Sequence, residues 1–394
     1  MFEKLFSAPD DKIIKLMHTF SADPRADKID LGVGVYKNKN GSTPIMHSVK
    51  KAENLLWEEQ STKSYVGLAG DFEFHDVMRD LILKNCVGED CVAAAATPGG
   101  TGAIRQALEL IKNTDPSTTV WISSPTWPNH PSIIGYLGIK QKEYRYFDYK
   151  TGCVEFENML EDLSSAKRGD VVLLHGCCHN PTGANLKLDQ WARLTEILLD
   201  GGLIPFIDIA YQGFGDGLDE DAAGVRYLVM NIPEVIIASS CSKNFGIYRE
   251  RTGILMLVSH NKGDKIKNQK MLTYLNRQNY SFPPDHGARL VTMILKDPEL
   301  RTSWEVELKS IQVGMLQNRE SLALELCKQI GSDRFGFLAE HRGMFSLLGA
   351  TEMQVDEMRN KYGIYMVSDS RMNIAALNLK AIHKLTEAII AVKV

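Results

Sequence analysis

Several short runs of the chain are largely apolar, without alternation between apolar and polar positions. The runs are Thr119–Ser124, Val171–His175, Leu203–Ile209, Val235–Ser239 and Gly253–Val258. Such runs are typical of parallel strands that are buried on both faces of a sheet. Helical patterns lie before and between these runs, for example at Gly102–Lys112 and Leu188–Leu199. The alternation predicts an α/β fold, with a large domain whose mostly parallel sheet is flanked by helices.

The last part of the chain has a different pattern and predicts a smaller α+β domain. A long helical stretch near Pro298–Ile330 leads to a strand at Met344–Leu348. Thr351 suits the N-cap of the helix that follows. The remaining expected elements are a helix at Glu352–Tyr362, a strand at Ile364–Val367 and a final helix at Leu379–Val392.

Composition and charge exclude several classes of protein. The 394 residues are 44% hydrophobic and 24% charged, and the net charge is −4. The sequence contains no basic block, so we expect no nucleic-acid partner. It also contains no apolar run of 18 residues and no signal-peptide pattern at its start, so we expect no membrane association. The seven cysteines are irregularly spaced, which favours reduced thiols and a cytoplasmic location.

Polar residues follow the predicted strands, where ligands bind in open α/β sheets. Asp208 and Tyr211 come at and after one strand end, and Ser240, Ser242 and Lys243 follow another. Asn180 follows the strand at Val171–His175. A glycine-rich turn, Pro98–Gly102, opens a helix. We expect these groups to converge at one edge of the sheet.

That set of groups matches the needs of pyridoxal phosphate. A buried lysine can form a Schiff base with an aldehyde, and a carboxylate can keep the pyridine nitrogen protonated. Gly100 and Thr101 at a helix N-terminus would bind a phosphate, helped by two serine hydroxyls and Arg251. Each residue also has an ordinary role open to it: Asp208 as a helix cap, Tyr211 as core, or Arg251 in an ion pair with Glu250.

The stretch His175–Gly183, HGCCHNPTG, places four possible metal ligands within five residues. Adjacent cysteines point to opposite faces of an extended chain, and the C-x-x-C spacing is absent. We therefore predict no metal site, and we interpret Cys177 and Cys178 as buried apolar thiols.

The whole set of motifs resembles one family. The motifs are LGVGVYK (31–37), TKSYVGLAG (62–70), TPGGTGA (97–103), PTWPNH (125–130), HGCCHNPTG (175–183), DIAYQGF (208–214), SSCSKNFGIYRERTG (239–253), NRQNYSFPP (276–284), HRGMFS (341–346) and SRMNIAALN (370–378). In residue type and spacing they resemble the aspartate and aromatic-amino-acid aminotransferases, class I of the pyridoxal-phosphate aminotransferases. The resemblance extends over essentially the full length and implies fold type I of the pyridoxal-phosphate transferases.

The resemblance implies a role for each site residue. Lys243 would be the Schiff-base lysine and proton carrier, Asp208 would pair with the pyridinium nitrogen, and His175 would stand behind Asp208. Asn180 and Tyr211 would bind the ring oxygen, and Trp127 would stack on the ring. The phosphate would be bound by Gly100, Thr101, Ser240, Ser242, Arg251 and the partner subunit's Tyr65. Arg371 would bind the substrate α-carboxylate, bordered by Gly34, Asn180 and Phe345, and Arg277 would cross a dimer interface to meet a side-chain carboxylate.

The implied activity is transfer of an amino group from aromatic amino acids, aspartate or glutamate to a 2-oxo acid such as 2-oxoglutarate. It would be a ping-pong reaction through an internal aldimine and pyridoxamine phosphate. The implied assembly is a homodimer with shared active sites. The implied division is an N-terminal arm with part of the small domain (1–42), a large cofactor-binding domain (43–305) and a small domain (306–394).

Some alternatives remain open. The segment Tyr280–Pro284 reads Tyr-Ser-Phe-Pro-Pro, where aspartate-restricted members commonly have asparagine at the third position. This favours the broad aromatic branch, with an aspartate-restricted enzyme as the alternative. A β-lyase or decarboxylase on the same fold fits less well with two substrate-binding arginines. A pyridoxal-sensing regulator would need a DNA-binding segment, and the Gly32–Gly34 turn lacks the third glycine of a dinucleotide-binding motif.

Overall fold

The computed structural model describes residues 1–5, 7, 10–261 and 263–394. Its strands are β1 (Ile29–Asp30), β2 (Val92–Pro98), β3 (Thr119–Ser124), β4 (Lys140–Arg145), β5 (Phe147–Asp148), β6 (Cys153–Val154), β7 (Val171–His175), β8 (Ile204–Ile209), β9 (Glu234–Ser240), β10 (Thr252–Ser259), β11 (Phe345–Leu347), β12 (Ile364–Tyr365) and β13 (Arg371–Asn373). Three short 3-10 turns in the described residues cover Phe2–Lys4, Glu89–Cys91 and Ile374–Ala376.

The helices lie on both sides of the largest sheet and in the C-terminal part of the chain. They are α1 (Lys12–Ala22), α2 (His47–Glu59), α3 (Phe72–Leu83), α4 (Gly99–Thr114), α5 (Asn129–Leu137), α6 (Phe156–Leu163), α7 (Leu188–Gly201), α8 (Ala223–Asn231), α9 (Asp264–Asn279), α10 (His286–Lys296), α11 (Pro298–Ile330), α12 (Phe337–Glu340), α13 (Glu352–Tyr362) and α14 (Leu379–Ala391). In the described residues, no helix is both long enough and apolar enough to cross a lipid bilayer.

The main sheet of the described chain has seven strands in the order β2-β10-β9-β8-β7-β3-β4. Strands β9, β8, β7, β3 and β4 run parallel to one another. The predicted α/β class with a mostly parallel, helix-flanked sheet is therefore confirmed. Side chains alternate across it: Leu173 of β7 packs in one apolar cluster, while Val172 and Leu174 pack in another on the opposite face.

One strand departs from the expected direction. We expected Gly253–Val258 to run parallel to its neighbours, but β10 is antiparallel to both β9 and β2. No crossover helix lies between β9 and β10, and a short loop can join only antiparallel neighbours. As a result, the start of β10 lies at the same edge of the sheet as the end of β9. Arg251, which directly precedes β10, is brought to that edge.

A separate apolar cluster lies in the C-terminal part of the chain. It contains residues of α11, α13 and α14, such as Leu326, Val355 and Leu385, together with Leu31 from the N-terminal part. The strand pairing agrees with this packing, because β1 pairs in parallel with β12. Helix α11 joins the two regions. Its residues up to Met315 pack with the main sheet, and those from Leu322 onward pack in the C-terminal cluster.

Candidate active site

A cavity of about 230 Å³ lies at the carboxyl edge of the sheet. Many of the predicted site residues line this cavity: Gly34, Gly100, Thr101, Trp127, Asn180, Asp208, Tyr211, Ser240, Ser242, Lys243 and Arg251. His175 lines the cavity as well. Sequence reasoning did not single out the remaining lining residues Ile104, Ala210 and Tyr248. The expected convergence of strand-end residues is thus present in the folded chain.

The start of α4 forms an anion-binding cradle on one wall of the cavity. The residue before the helix is Pro98, and no side chain caps the helix. The first N–H groups of the helix therefore lack a side-chain acceptor, and the positive end of the helix dipole faces the cavity. A Cβ atom on Gly100 would lie 3.0 Å from Ser240 Cβ, so glycine lets the backbone pack closely against β9.

Arg251 completes this cradle. Its guanidinium donates to Ser242 Oγ at 3.3 Å and to the Tyr248 carbonyl at 3.2 Å. Among the described residues it forms no ion pair with Glu250, the alternative left open by the sequence. Gly99 has a φ of +70°, and a Cβ atom there would lie 2.5 Å from an Arg251 nitrogen. Glycine at this position therefore leaves room for the cation beside the helix start.

Lys243 lies inside the cavity, with its side chain half-buried. Its Nζ is 4.8 Å from the centre of the Tyr211 ring. Burial lowers the pKa of Lys243 to about 8; Asp208 opposes this shift, and the nearby cations Arg251 and Arg371 add to it. About a tenth of this amine is consequently neutral at pH 7, and a neutral amine is the nucleophilic form.

Asp208 is a buried carboxylate at the end of β8, and His130 is its direct hydrogen-bond partner. The His130 Nε2 to Asp208 Oδ2 distance is 3.1 Å. Burial is the largest single influence and raises the pKa of Asp208. The His130 hydrogen bond and the nearby His175 and Lys243 outweigh it, so the pKa lies below its usual range. Asp208 is thus held as an anion.

A chain of polar contacts continues behind Asp208. His130 Nδ1 lies 2.9 Å from Thr126 Oγ1, which lies 3.2 Å from His175 Nε2. Asp208 accepts from His130 Nε2–H. With the imidazole neutral, the Thr126 hydroxyl donates to His130 Nδ1 and accepts from His175 Nε2–H. The resemblance had placed His175 behind Asp208. His130 and Thr126 were not singled out, although both belong to the quoted PTWPNH motif.

Asn180 links Tyr211 to Arg371. Its Nδ2 donates to Tyr211 Oη at 3.4 Å, and its Oδ1 accepts from Arg371 at 3.5 Å. Tyr211 Oη is the acceptor in this bond, so its hydroxyl proton can be donated to another group. Burial raises the pKa of Tyr211, so its phenol is held as a donor. The Asn180–Pro181 peptide bond is cis, a point that sequence alone left undecided.

Arg371 is a buried cation next to the cavity. Its side chain donates to Asn180 and, at 3.1 Å, to the Gly32 carbonyl, and it lies over the Phe345 ring at 4.3 Å. Its Nε has no hydrogen-bond partner. In the part of the chain that the structure describes, no carboxylate lies within ion-pair distance of this guanidinium. A buried, unpaired guanidinium is costly unless a ligand supplies the negative charge.

Phe345 is held closely against the loop that carries Gly34. The added Cβ of any residue other than glycine at position 34 would lie 2.9 Å from Phe345 Cζ. Phe345 is buried and also packs edge-on against Tyr211, with ring centres 6.3 Å apart. Phe345 therefore contacts Arg371, Gly34 and Tyr211.

Tyr65 and Arg277 do not line the cavity of their own chain. Tyr65 is 83% exposed and stacks on Phe282, with ring centres 4.6 Å apart. Arg277 is exposed as well; its guanidinium lies 6.0 Å from the Phe282 ring and donates to Ser281 Oγ at 2.6 Å. The two residues thus share one exposed surface around Phe282.

The HGCCHNPTG turn has a local geometry that the sequence did not predict. Cys178 has a φ of +50°, so the chain is not extended there. The expectation that the adjacent thiols of Cys177 and Cys178 point to opposite faces is therefore wrong. The ligand atoms of Cys177, Cys178 and Asp221 all lie within 4.8 Å of one another, and all three residues are buried.

The site and fold define a class of enzyme. Residues 26–389 match the family model described as aminotransferase class I and II, and the chain belongs to this family. It is 56% identical over 384 residues to the aromatic-amino-acid aminotransferase of Paracoccus denitrificans, covering 98% of each chain. It is 41% identical over 396 residues to the aspartate aminotransferase of Haemophilus influenzae, covering 100% of both. A solved Burkholderia pseudomallei aromatic-amino-acid aminotransferase, covalently bound to pyridoxal phosphate, superimposes with a TM-score of 0.96 at 38% identity, covering 100% of this chain and 99% of that one.

The protein is an aminotransferase, and its cofactor is pyridoxal phosphate. The residues of the cavity fit this group. The uncapped start of α4 and Arg251 suit a phosphate, Lys243 supplies an amine for an aldehyde, and the anionic Asp208 suits a pyridinium nitrogen.

Proposed function

We propose that this aminotransferase moves the amino group of aromatic amino acids and of aspartate or glutamate to a 2-oxo acid such as 2-oxoglutarate. The observation that carries this proposal is the buried Arg371, whose guanidinium has no ion-pair partner in the described residues and whose Nε has no acceptor. A planar guanidinium binds a carboxylate through two parallel hydrogen bonds. Every donor and acceptor of such a reaction presents a carboxylate at this position.

When bound, pyridoxal phosphate supplies an aldehyde that accepts the amino group and a ring that withdraws electrons from the reacting carbon. Lys243 would hold the cofactor through its amine, and its Nζ would take the proton from the substrate α-carbon. The lowered pKa of Lys243, about 8, matches a group that must both accept and return a proton near neutral pH. Asp208 keeps the proton on the ring nitrogen, and His130 holds Asp208 in place.

The remaining cavity residues orient the cofactor in this proposal. Asn180 and the Tyr211 hydroxyl would donate to the ring oxygen, and Trp127 would cover one face of the ring. The phosphate is bound by Gly100, Thr101, Ser240, Ser242 and Arg251. These groups are fixed by the fold before the substrate arrives, which lowers the reorganisation required during the reaction.

We further propose a homodimer with shared active sites. Tyr65 and Arg277 lie together on an exposed surface and do not line their own cavity. A large, rigid, exposed aromatic such as Tyr65 suits an interface. Across a twofold axis, Tyr65 would reach the phosphate of the partner's site and Arg277 would meet the side-chain carboxylate of a dicarboxylic substrate.

Preference for aromatic donors is supported by Phe282. This residue stands where aspartate-restricted members commonly have asparagine, and its ring contacts both Tyr65 and Arg277. The 56% identical relative from Paracoccus denitrificans is named for aromatic amino acids. An aspartate-restricted enzyme is the second candidate, since Arg277 suits dicarboxylates and aspartate aminotransferases match over the full chain.

The chain is proposed to comprise an N-terminal arm with part of the small domain (1–42), a large domain (43–305) and a small domain (306–394). Leu31 packs in the C-terminal cluster, which supports the first assignment. The last boundary falls inside α11, and the packing partners of that helix change between Met315 and Leu322. A cytoplasmic setting is proposed as well, because all seven cysteines lie in the described ranges and are free.

The test uses the purified, cofactor-loaded enzyme and one amino acid at a time, without any 2-oxo acid. Phenylalanine and aspartate should each bleach the long-wavelength absorption of the bound cofactor and release one 2-oxo acid per active site. Added 2-oxoglutarate should restore the band. A response to aspartate alone would select the aspartate-restricted enzyme, and release of CO₂ or ammonia in place of a 2-oxo acid would overturn transamination.

A further inference from the structure

A group of metal-ligand atoms lies outside the cofactor cavity. Cys177 Sγ, Cys178 Sγ and an Asp221 carboxylate oxygen all lie within 4.8 Å of one another. The left-handed backbone at Cys178 turns the two thiols toward the same side. Asp221 reaches them from the loop before α8, about forty residues further along the chain. The cluster therefore depends on the tertiary fold and on the turn at Cys178. Two adjacent cysteines in a sequence do not predict such a turn.

We propose that Cys177, Cys178 and Asp221 bind a thiophilic divalent cation such as Zn²⁺ or Cd²⁺. This site is distinct from the transamination chemistry and goes beyond it. Two sulfurs and one carboxylate oxygen are ligands that such cations accept, with a fourth position left for water. On a tetrahedral zinc ion with bonds of about 2.3 Å, two sulfurs lie about 3.8 Å apart. A sulfur and a carboxylate oxygen on such an ion lie about 3.6 Å apart. The separations in the cluster, which are at most 4.8 Å, would therefore shorten by about 1.2 Å at most to reach that geometry.

An ion has a route to these ligands. Cys177 and Asp221 line a second cavity, of about 590 Å³, between the HGCCHNPTG turn and the C-terminal part of the chain. His341, Arg342 and Phe337 form part of its far wall. His175 lines both this cavity and the smaller cofactor cavity. The proposed site therefore lies behind the cofactor cavity and faces the second, larger cavity.

Asp221 is already fixed as a ligand. Its Oδ2 accepts from the N–H groups of Gly213 and Gly215 at 2.8 and 2.9 Å, and its Oδ1 accepts from Asp216 N–H at 2.9 Å. A carboxylate offers about four acceptor positions, and these bonds occupy three of them. One position on Oδ1 remains for a cation. A ligand held in this way loses little freedom when the ion binds.

The charge balance is compatible with ion binding. Binding replaces two S–H bonds with two metal–sulfur bonds and releases two protons, so the cation's charge of +2 is matched by the two thiolates. The net charge of the three ligands and the ion is then the same as that of two thiols and one carboxylate. Arg319 adds a buried cation nearby: its guanidinium donates to the Gly343 carbonyl at 2.8 Å, and Gly343 packs directly on Cys178.

The experiment titrates Cd²⁺ into the reduced, cofactor-loaded enzyme in the absence of amino acids. Cadmium bound to thiolate produces an ultraviolet charge-transfer band that histidine or carboxylate sites do not produce. We expect the native enzyme to develop this band with one equivalent of Cd²⁺, and Zn²⁺ to displace it. Cys177→Ala and Cys178→Ala should each lose the one-equivalent band. Asp221→Asn should keep the band but bind more weakly.

Two variants serve as matched controls. Cys241→Ala removes a buried thiol elsewhere in the core, and Cys153→Ala removes a thiol at the wall of the same cavity. Both should keep the band. Cofactor absorbance and the thermal unfolding midpoint show that each variant is folded. The proposal is overturned if the native enzyme gives no such band, or if the band persists in both Cys177→Ala and Cys178→Ala.

Discussion

His130 donates to Asp208 across 3.1 Å in the buried wall of the cofactor cavity. The relationship matters because burial on its own raises the pKa of Asp208, and the hydrogen bond from His130 is the largest influence that lowers it. His130 is therefore a positioning residue that keeps Asp208 anionic. Thr126 orients the imidazole from the other side.

Replacing His130 with alanine should lower kcat and change its pH dependence. A hydrogen bond to a buried charged group contributes about 1.5–3 kcal/mol, which corresponds to a loss on the order of tenfold to a hundredfold. Without its donor the pKa of Asp208 rises, so the decline of activity at low pH should begin at a higher pH. His130→Gln, which can place an N–H near the Nε2 position, should recover part of both effects. If kcat of the alanine variant declined at the same low pH as that of the native enzyme, His130 would have only a packing role.

The pKa of Lys243 predicts when the enzyme freed of its cofactor accepts pyridoxal phosphate. Only the neutral amine attacks an aldehyde, and burial lowers this pKa from 10.5 to about 8. The rate of covalent attachment should therefore rise with pH through a midpoint near 8, not near 10.5. Stopped-flow absorbance of the apoenzyme mixed with cofactor measures this rate. A midpoint above 10 would show an ordinary, solvated lysine.

Lys243→Ala is the control for that experiment. The variant should bind the cofactor without covalent attachment, and it should lose multiple-turnover transamination because the proton carrier is missing. Its secondary structure should be unchanged. Substantial turnover in this variant would remove Lys243 from the proposed mechanism.

Subunit exchange tests whether Arg277 acts on the partner's site. Arg371→Ala and Arg277→Ala parents should each be inactive with dicarboxylic substrates. After exchange, each heterodimer holds one doubly altered site and one intact site if the arginines come from different chains. Random exchange makes half of the dimers mixed, so activity should return to about a quarter of the native value.

The control mixes the same parents without exchange, and native mass spectrometry of isotope-labelled chains measures the heterodimer fraction. If both arginines served the site of one chain, every site in the heterodimer would carry one alteration. Activity would then stay at the level of the parents despite complete exchange.

Much of the fold was predictable because apolar patterning is strong in this chain. The bounds of β3, β7, α11 and α13 agree with the prediction, and Thr351 caps α13 as expected. Strand β2 was not predicted, because its residues 92–98 are mostly alanine, which has a weak strand tendency. Strand β4 is a charged edge strand, so it lacks the apolar signal of its neighbours.

Most of the cavity residues were predictable, because each of these follows a strand end or belongs to a family motif. The relationship of Asp208 to His130 was not, since it joins residues 78 positions apart through side-chain geometry. The approach of Asp221 to Cys177 and Cys178 could not be predicted from the sequence either. This approach depends on a positive φ at Cys178. Residues other than glycine rarely adopt that conformation, and no pattern in the sequence predicted it here.

The central claim is that Arg371 binds the α-carboxylate common to all substrates, whereas Arg277 binds only a side-chain carboxylate. The most direct measurement compares kcat/KM for aspartate and phenylalanine in Arg371→Leu and Arg277→Leu. Removing one member of a buried charge pair costs about 3–5 kcal/mol, so Arg277→Leu should lower kcat/KM for aspartate by about 10²–10³-fold or more. Phenylalanine should lose far less with that variant, while Arg371→Leu should damage both donors alike. Equal losses for both donors in Arg277→Leu, or a selective loss in Arg371→Leu, would contradict the account.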